Sequence, residues 1–135
     1  MIQCSLWLRR ALQADAIFSG FSAVALALGA APLAPWLNLP EALLQETGLF
    51  LIAYALFVGW LGSRRSMAAA WAMLVIAGNA AWVLASVALL LSGMVAPNGL
   101  GVAAMLAQAL VVGVLAELQT IGLRRSRALI EGQPA

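Results

Sequence analysis

Two carboxylates, Asp15 and Glu117, and six neutral polar side chains, Ser22, Tyr54, Asn79, Trp82, Ser86 and Gln108, stand inside otherwise apolar stretches of this chain. Polar groups are costly in hydrocarbon, so each invites a role: bonding between helices, lining a cavity or, for a carboxylate, carrying a proton. Asp15 and Glu117 are the candidate proton-handling residues. The other six are candidate ligand-binding residues. Other chemistry has little to work with. Histidine is absent and cysteine occurs once, at Cys4. That removes the usual zinc, haem and iron–sulfur ligand sets, the commonest general base and any internal disulfide. There is no phosphate-binding glycine loop and no HExxH, CxxC or GxSxG motif, and no histidine could activate a serine. No catalytic residue, metal or cofactor is expected, and the chain reads as non-enzymatic.

The elements that must position these residues follow from composition. The 135 residues are 64% hydrophobic and 9% charged, whereas soluble domains are about a quarter charged. Lipid is therefore the expected solvent. The clearest element is Met67 to Ser92, an uninterrupted apolar run without charge or proline. At about 1.5 Å per residue it is long enough to cross a hydrocarbon core of about 30 Å. Three further apolar runs complete an all-α fold, a four-helix transmembrane bundle forming one integral membrane domain, with spans near 14–34, 42–62, 67–92 and 99–122.

The ends of these spans carry their own signals. Residues Met1 to Gln13 read as an amphipathic lead-in. Pro32 and Pro35 mark the end of the first helix, since each lacks a backbone N–H. Pro40 suits the first turn of the second, with Asn38 or Leu39 at its cap. Beyond Gly122 the fourth helix is expected to continue as a polar helix through Arg124, Arg125 and Arg127, with a frayed tail from Glu131 to Ala135. An arginine pair before an apolar run also resembles a cleavable signal peptide. The first run is long for one, Asp15 interrupts its start, and the segments that follow are equally membrane-like.

With four spans, all seven basic residues fall on one side: Arg9 and Arg10, Arg64 and Arg65, then Arg124, Arg125 and Arg127. The opposite loops hold no arginine and carry Glu41 and Glu46. The positive-inside rule places both termini in the cytoplasm of a multi-pass inner-membrane protein. The arginines thus read as topology determinants and lipid-phosphate contacts, not as a nucleic-acid surface. Trp7, Trp36, Trp60 and Trp71 fall near an interface, where tryptophan is common. Trp82 lies deeper and either packs in the bundle or lines a pocket.

Rise along each helix puts Ser22, Tyr54, Asn79 and Gln108 near mid-membrane, one from each helix. Asn79, Trp82 and Ser86 share an arc of about 60° on the third helix. Asp15 and Glu117 fall near the inner boundary, where pairing with Arg64 or Arg124 would fix helix ends. Glu117 lies about 180° around the fourth helix from Gln108, so one face cannot present both.

Four short spans with an acid in the first resemble the small multidrug resistance transporters in outline only. That family's glutamate lies deep whereas Asp15 reads near the inner edge, and its helix-3 aromatic and glycine pattern is not present, so no roles are carried over. Several features, Ala14-Asp15 with Ser19-Gly20, Asn38-Leu39-Pro40, Tyr54-Ala55, Asn79 with Trp82 and Ser86, Gln108-Ala109 and Gly122-Leu123-Arg124-Arg125, make the chain similar to small four-helix membrane proteins of high-GC bacteria. That resemblance implies an inner-membrane bundle and no activity. Two functions are expected to compete. One is association in the bilayer, as a homo-oligomer or within a larger membrane complex, through the small faces Ser19/Ala23/Ala27/Ala31 and Ala109/Gly113. The other is a small proton-coupled carrier, or a bundle binding a lipid or other apolar ligand at its mid-membrane polar residues.

Overall fold

The computed structural model describes residues 1–130, so the expected fraying of Glu131 to Ala135 lies outside the described residues. The chain runs β1 (Ile2–Gln3), α1 (Leu6–Leu37), α2 (Glu41–Ser63), β2 (Ser66–Met67), α3 (Ala69–Ser92) and α4 (Gly99–Ile130). Each of the four helices is long and apolar enough to cross a membrane. The α-helix is favoured there because it satisfies its own backbone groups where water cannot.

Helix boundaries differ from the sequence expectation at α1 and α2. α1 begins eight residues before the expected span, because Ser5, in extended conformation, accepts a hydrogen bond from the Leu8 amide and caps it. It also runs through Pro32 and Pro35 to Leu37. Each proline removes one backbone bond, but in hydrocarbon the chain has no water to turn to, so keeping the remaining helical bonds wins. α1 ends at Asn38, whose φ of 54° lies in the left-handed region that asparagine tolerates. Asn38 therefore closes α1 instead of opening α2, and Pro40 is the residue before the first turn of α2, not within it.

The two outer turns are tied together. Asn98 donates its backbone N–H to the carbonyl of Leu37 and its side-chain amide to that of Trp36, while its Oδ1 accepts from the Gly101 amide and caps α4. At the other end, β1 pairs antiparallel with β2, Ile2 opposite Met67 and Gln3 opposite Ser66. Ser5 then latches onto α4: its amide donates to the Ser126 hydroxyl at 2.9 Å and its hydroxyl to the Gly122 carbonyl at 3.2 Å. This gathers the amino terminus, the α2–β2 turn and the end of α4, and with them all seven arginines, at one end of the bundle.

α1 packs along α2 and α4, and α3 packs along α4. α2 and α3 are not close neighbours; mainly long side chains bridge them, Phe57 edge-on to Trp71 at 5.8 Å and Phe50 stacked on Trp82 at 6.0 Å. α1 and α2 approach closely. A Cβ at Gly48 would lie 2.5 Å from the Ala27 nitrogen and 3.0 Å from the Ala23 carbonyl oxygen. Large apolar residues such as Phe21, Leu28, Leu56 and Leu84 point outward, as a lipid-facing surface requires.

Candidate functional site

Asp15 is the organising residue of the bundle interior. Only 1% of its surface is exposed, and four neutral donors from all four helices converge on it. Ser19 donates to Oδ1 at 3.1 Å. Oδ2 lies 2.8 Å from the Tyr54 hydroxyl, 2.9 Å from Asn79 Nδ2 and 2.7 Å from Gln119 Nε2. The amides also bond to each other, Asn79 Nδ2 donating to Gln119 Oε1 at 2.9 Å. The expected pairing of Asp15 with Arg64 or Arg124 is therefore overturned. Instead, the guanidinium groups of Arg64 and Arg125 lie over the rings of Trp60 and Trp7 at 5.4 and 4.6 Å, near the water-facing end where a charged head stays hydrated.

The early start of α1 puts Asp15 inside the bundle, although it stays five residues, about 7.5 Å, past Arg10. Asp15 stands nine residues into α1, Tyr54 nine from the end of α2, Asn79 ten into α3 and Gln119 eleven from the end of α4. Each is about 14–17 Å along its helix from the terminus of that helix at the same end of the bundle. The four side chains meet because the helices bring them to one level.

Tyr54 presents one hydroxyl hydrogen to two acceptors, Asp15 Oδ2 and, at 2.7 Å, Asn79 Oδ1. That hydrogen can serve one at a time.

The predicted mid-membrane layer of Ser22, Tyr54, Asn79 and Gln108 is split by the structure. Tyr54 and Asn79 join Asp15 and Gln119. Gln108 belongs to a second group further toward the outer turns, where its Oε1 accepts from Trp82 Nε1 at 2.8 Å and its Nε2 donates to the Ser86 hydroxyl at 3.1 Å. Ser22 bonds to neither group. All of them except Asp15 and Gln119 border one cavity of about 720 Å³, filling the space between α2 and α3 and reaching α1 and α4. Its wall is mostly apolar, with Ser19, Ser22, Tyr54 and Asn79 nearer one end and Trp82, Ser86 and Gln108 toward the other. No charged side chain lines it among the described residues.

Gln119, wholly buried, was not singled out by sequence reasoning. The signal was present: it lies eleven residues after Gln108, which returns it to within about 20° of the same helical face. Glu117 does not reach the cluster and stands exposed on the outward side of α4. It lies seven residues, about 10 Å, before Arg124 along α4, and the neighbouring Leu118 carbonyl accepts from Trp7 Nε1 at 2.9 Å.

Burial pushes the Cys4 thiol up, against an opposing pull from Arg9 and Arg64, so it offers no ready thiolate. Among the described residues, no group of three or more acids or cysteines could hold a metal ion. No family model, curated protein or solved structure matches this chain.

Proposed function

We propose that the protein is a non-enzymatic multi-pass membrane protein that binds an apolar ligand with a neutral polar end in the cavity between α2 and α3. The observation that carries this reading is the cavity itself: a volume of about 720 Å³, within the range of small-molecule sites, with an apolar wall and a few convergent polar groups. The absence of charged lining among the described residues argues against a phosphate or carboxylate entering it. Hydroxyl, carbonyl and amide groups match what Tyr54, Asn79 and Gln108 can donate and accept. Asp15 lies behind Tyr54 and Asn79, so a ligand bonding to either would change which acceptor holds the Tyr54 hydrogen. Of the small faces expected to mediate association, Ala23 and Ala109 are buried within the chain, and Ala27 is taken up by Gly48, which favours the ligand over self-association along those faces.

Binding is tested by titrating a brominated long-chain alcohol into vesicles holding a variant whose only tryptophan is Trp82, the other four being phenylalanine. Quenching is expected to saturate, and Gly78→Leu should abolish the saturable phase. Gly78 lines the cavity and an added Cβ there meets no atom within 4 Å, so leucine fills space without a clash. Quenching that rises in proportion to bulk bromine, identically in both proteins, would mean that ordinary lipid fills the space, and the reading would fail.

The same proposal includes orientation: both termini in the cytoplasm and the membrane a bacterial inner membrane. It rests on the seven arginines gathered at one end. Reporters fused after Leu39, Ser63, Ala96 and Ala135 are expected to read out, in, out and in; the inverse pattern would overturn the orientation.

A further inference from the structure

The two polar groups bordering the cavity differ in how fully each is satisfied. Around Gln108 every hydrogen has a taker. Trp82 Nε1 donates to Gln108 Oε1, Gln108 Nε2 donates to the Ser86 hydroxyl and, at 2.8 Å, to the Met105 carbonyl, and Ser86 donates to the Trp82 carbonyl at 2.8 Å. Around Asp15 one contact lacks its hydrogen. Ser19, Asn79 and Gln119 donate to the carboxylate, and the second N–H of Asn79 goes to Gln119 Oε1. Only the Tyr54 hydrogen remains for two contacts, 2.8 Å to Asp15 Oδ2 and 2.7 Å to Asn79 Oδ1. Whichever it serves, the other contact sets two oxygens face to face with no hydrogen between them. A buried acceptor left without a donor is costly, and Asn79 is only 4% exposed. Tyr54 and Asn79 both line the cavity, so a molecule in it can reach this gap.

We infer that the ligand of this cavity is an apolar molecule whose polar end donates a hydrogen, a hydroxyl or an N–H, in preference to a ketone, ester or ether. The inference rests on the binding reading above and specifies its ligand. A ligand hydroxyl donating to Asn79 Oδ1 supplies the absent hydrogen and leaves Tyr54 bonded to Asp15. An acceptor-only ligand brings one more oxygen to the gap and no hydrogen. The same asymmetry orients the ligand. Its polar end lies at Tyr54 and Asn79, and its tail runs past Phe50 and Trp82 toward Leu89, over the group that is already satisfied.

The test uses the full-length protein with Trp82 as its only tryptophan, in vesicles, and compares a brominated long-chain alcohol with its methyl ether at equal mole fractions in the bilayer. The alcohol is expected to reach half-saturation of quenching at about three- to tenfold lower mole fraction. That is the equivalent of about 0.6–1.4 kcal/mol, the usual net contribution of one hydrogen bond. Two variants locate the hydrogen. Tyr54→Phe removes the competing donor and keeps the Asn79 oxygen, so the preference should persist or widen. Asn79→Leu removes that oxygen and should largely erase it. Saturable quenching by the ether verifies that each variant keeps its cavity. Equal half-saturation of the parent by both ligands would overturn the inference and leave the binding reading intact. So would a preference lost in Tyr54→Phe, since Tyr54 would then be donating to the ligand, or one undiminished in Asn79→Leu. If neither ligand saturated, the binding reading and this inference would fail together.

Discussion

Asp15→Leu is expected to lower the unfolding free energy by about 3 kcal/mol, whereas Asp15→Asn should stay within about 1 kcal/mol of the parent. Leucine removes both acceptor oxygens at the one point where all four helices share hydrogen bonds. Tyr54 can turn its hydrogen to Asn79 Oδ1, 2.7 Å away, and Ser19 can donate to a carbonyl of its own helix. One N–H of Asn79 and one of Gln119 then have no acceptor. Both residues are buried, and each orphaned donor costs about 1–3 kcal/mol. Asparagine avoids this: its oxygen takes the place of Oδ2 and its amide points at the Ser19 hydroxyl, which can accept. The measurement is a denaturant titration in mixed micelles followed by far-ultraviolet circular dichroism. A leucine variant as stable as the parent would show that the cluster contributes little to the fold. Equal losses in both variants would show that the acid itself, beyond its geometry as an acceptor, is needed.

That asymmetry explains why the site was only half legible in the sequence. The four spans and the gathering of arginines depend on local signals, apolar length and charge at helix ends, and four helices cover those spans, α1 running past its expected span at both ends. The partner of a buried polar group depends on the relative shift of helices, which no single helix encodes. Asp15 read as a partner for interfacial arginines because it stands about one and a half turns past Arg10, and counting along one helix could not show that donors from the other three converge on it. Gln119 escaped because its neighbourhood, Leu118 to Arg125, reads as the polar exit of a helix, although its face is that of Gln108. The β1–β2 pairing was illegible for another reason: two residues on each side carry no periodic pattern.

Glu117 and Asp15 differ in the helical stripe on which each stands. Both interrupt apolar helices, and both were expected to pair with arginines at the inner edge. Asp15 lies on the inward stripe continued by Ser19 and Ser22, so other helices supply donors. Glu117 lies on the stripe of Leu110 and Val114, which faces outward. The sign of the surrounding stripe, polar or apolar, decides whether the acid is satisfied within the chain.

Gly48→Ala is expected to destabilise the protein by about 2–3 kcal/mol, the usual range for forcing an extra group into a packed interior. Gly59→Ala on the same helix should be neutral or stabilising by up to about 1 kcal/mol, since alanine is the better helix former. The contrast lies in what each added methyl meets. At Gly59 the nearest atom is the Ala16 Cβ at 3.6 Å, an ordinary contact. At Gly48 it meets the backbone of α1, the Ala27 nitrogen at 2.5 Å and both the Ala23 oxygen and the Ala27 Cα at 3.0 Å. A backbone cannot rotate away, so α1 and α2 must separate. Tyr54 lies six residues beyond Gly48, about 9 Å along α2, and its 2.8 Å bond to Asp15 is sensitive to that separation. The alanine variant should therefore also disturb the cavity, seen as weaker saturable quenching at Trp82, while Gly59→Ala leaves it intact. If Gly48→Ala matched the parent in both stability and quenching, the α1–α2 seam would not be what holds Tyr54 against Asp15. The cluster would then have to be positioned by α3 and α4 through Asn79 and Gln119 alone.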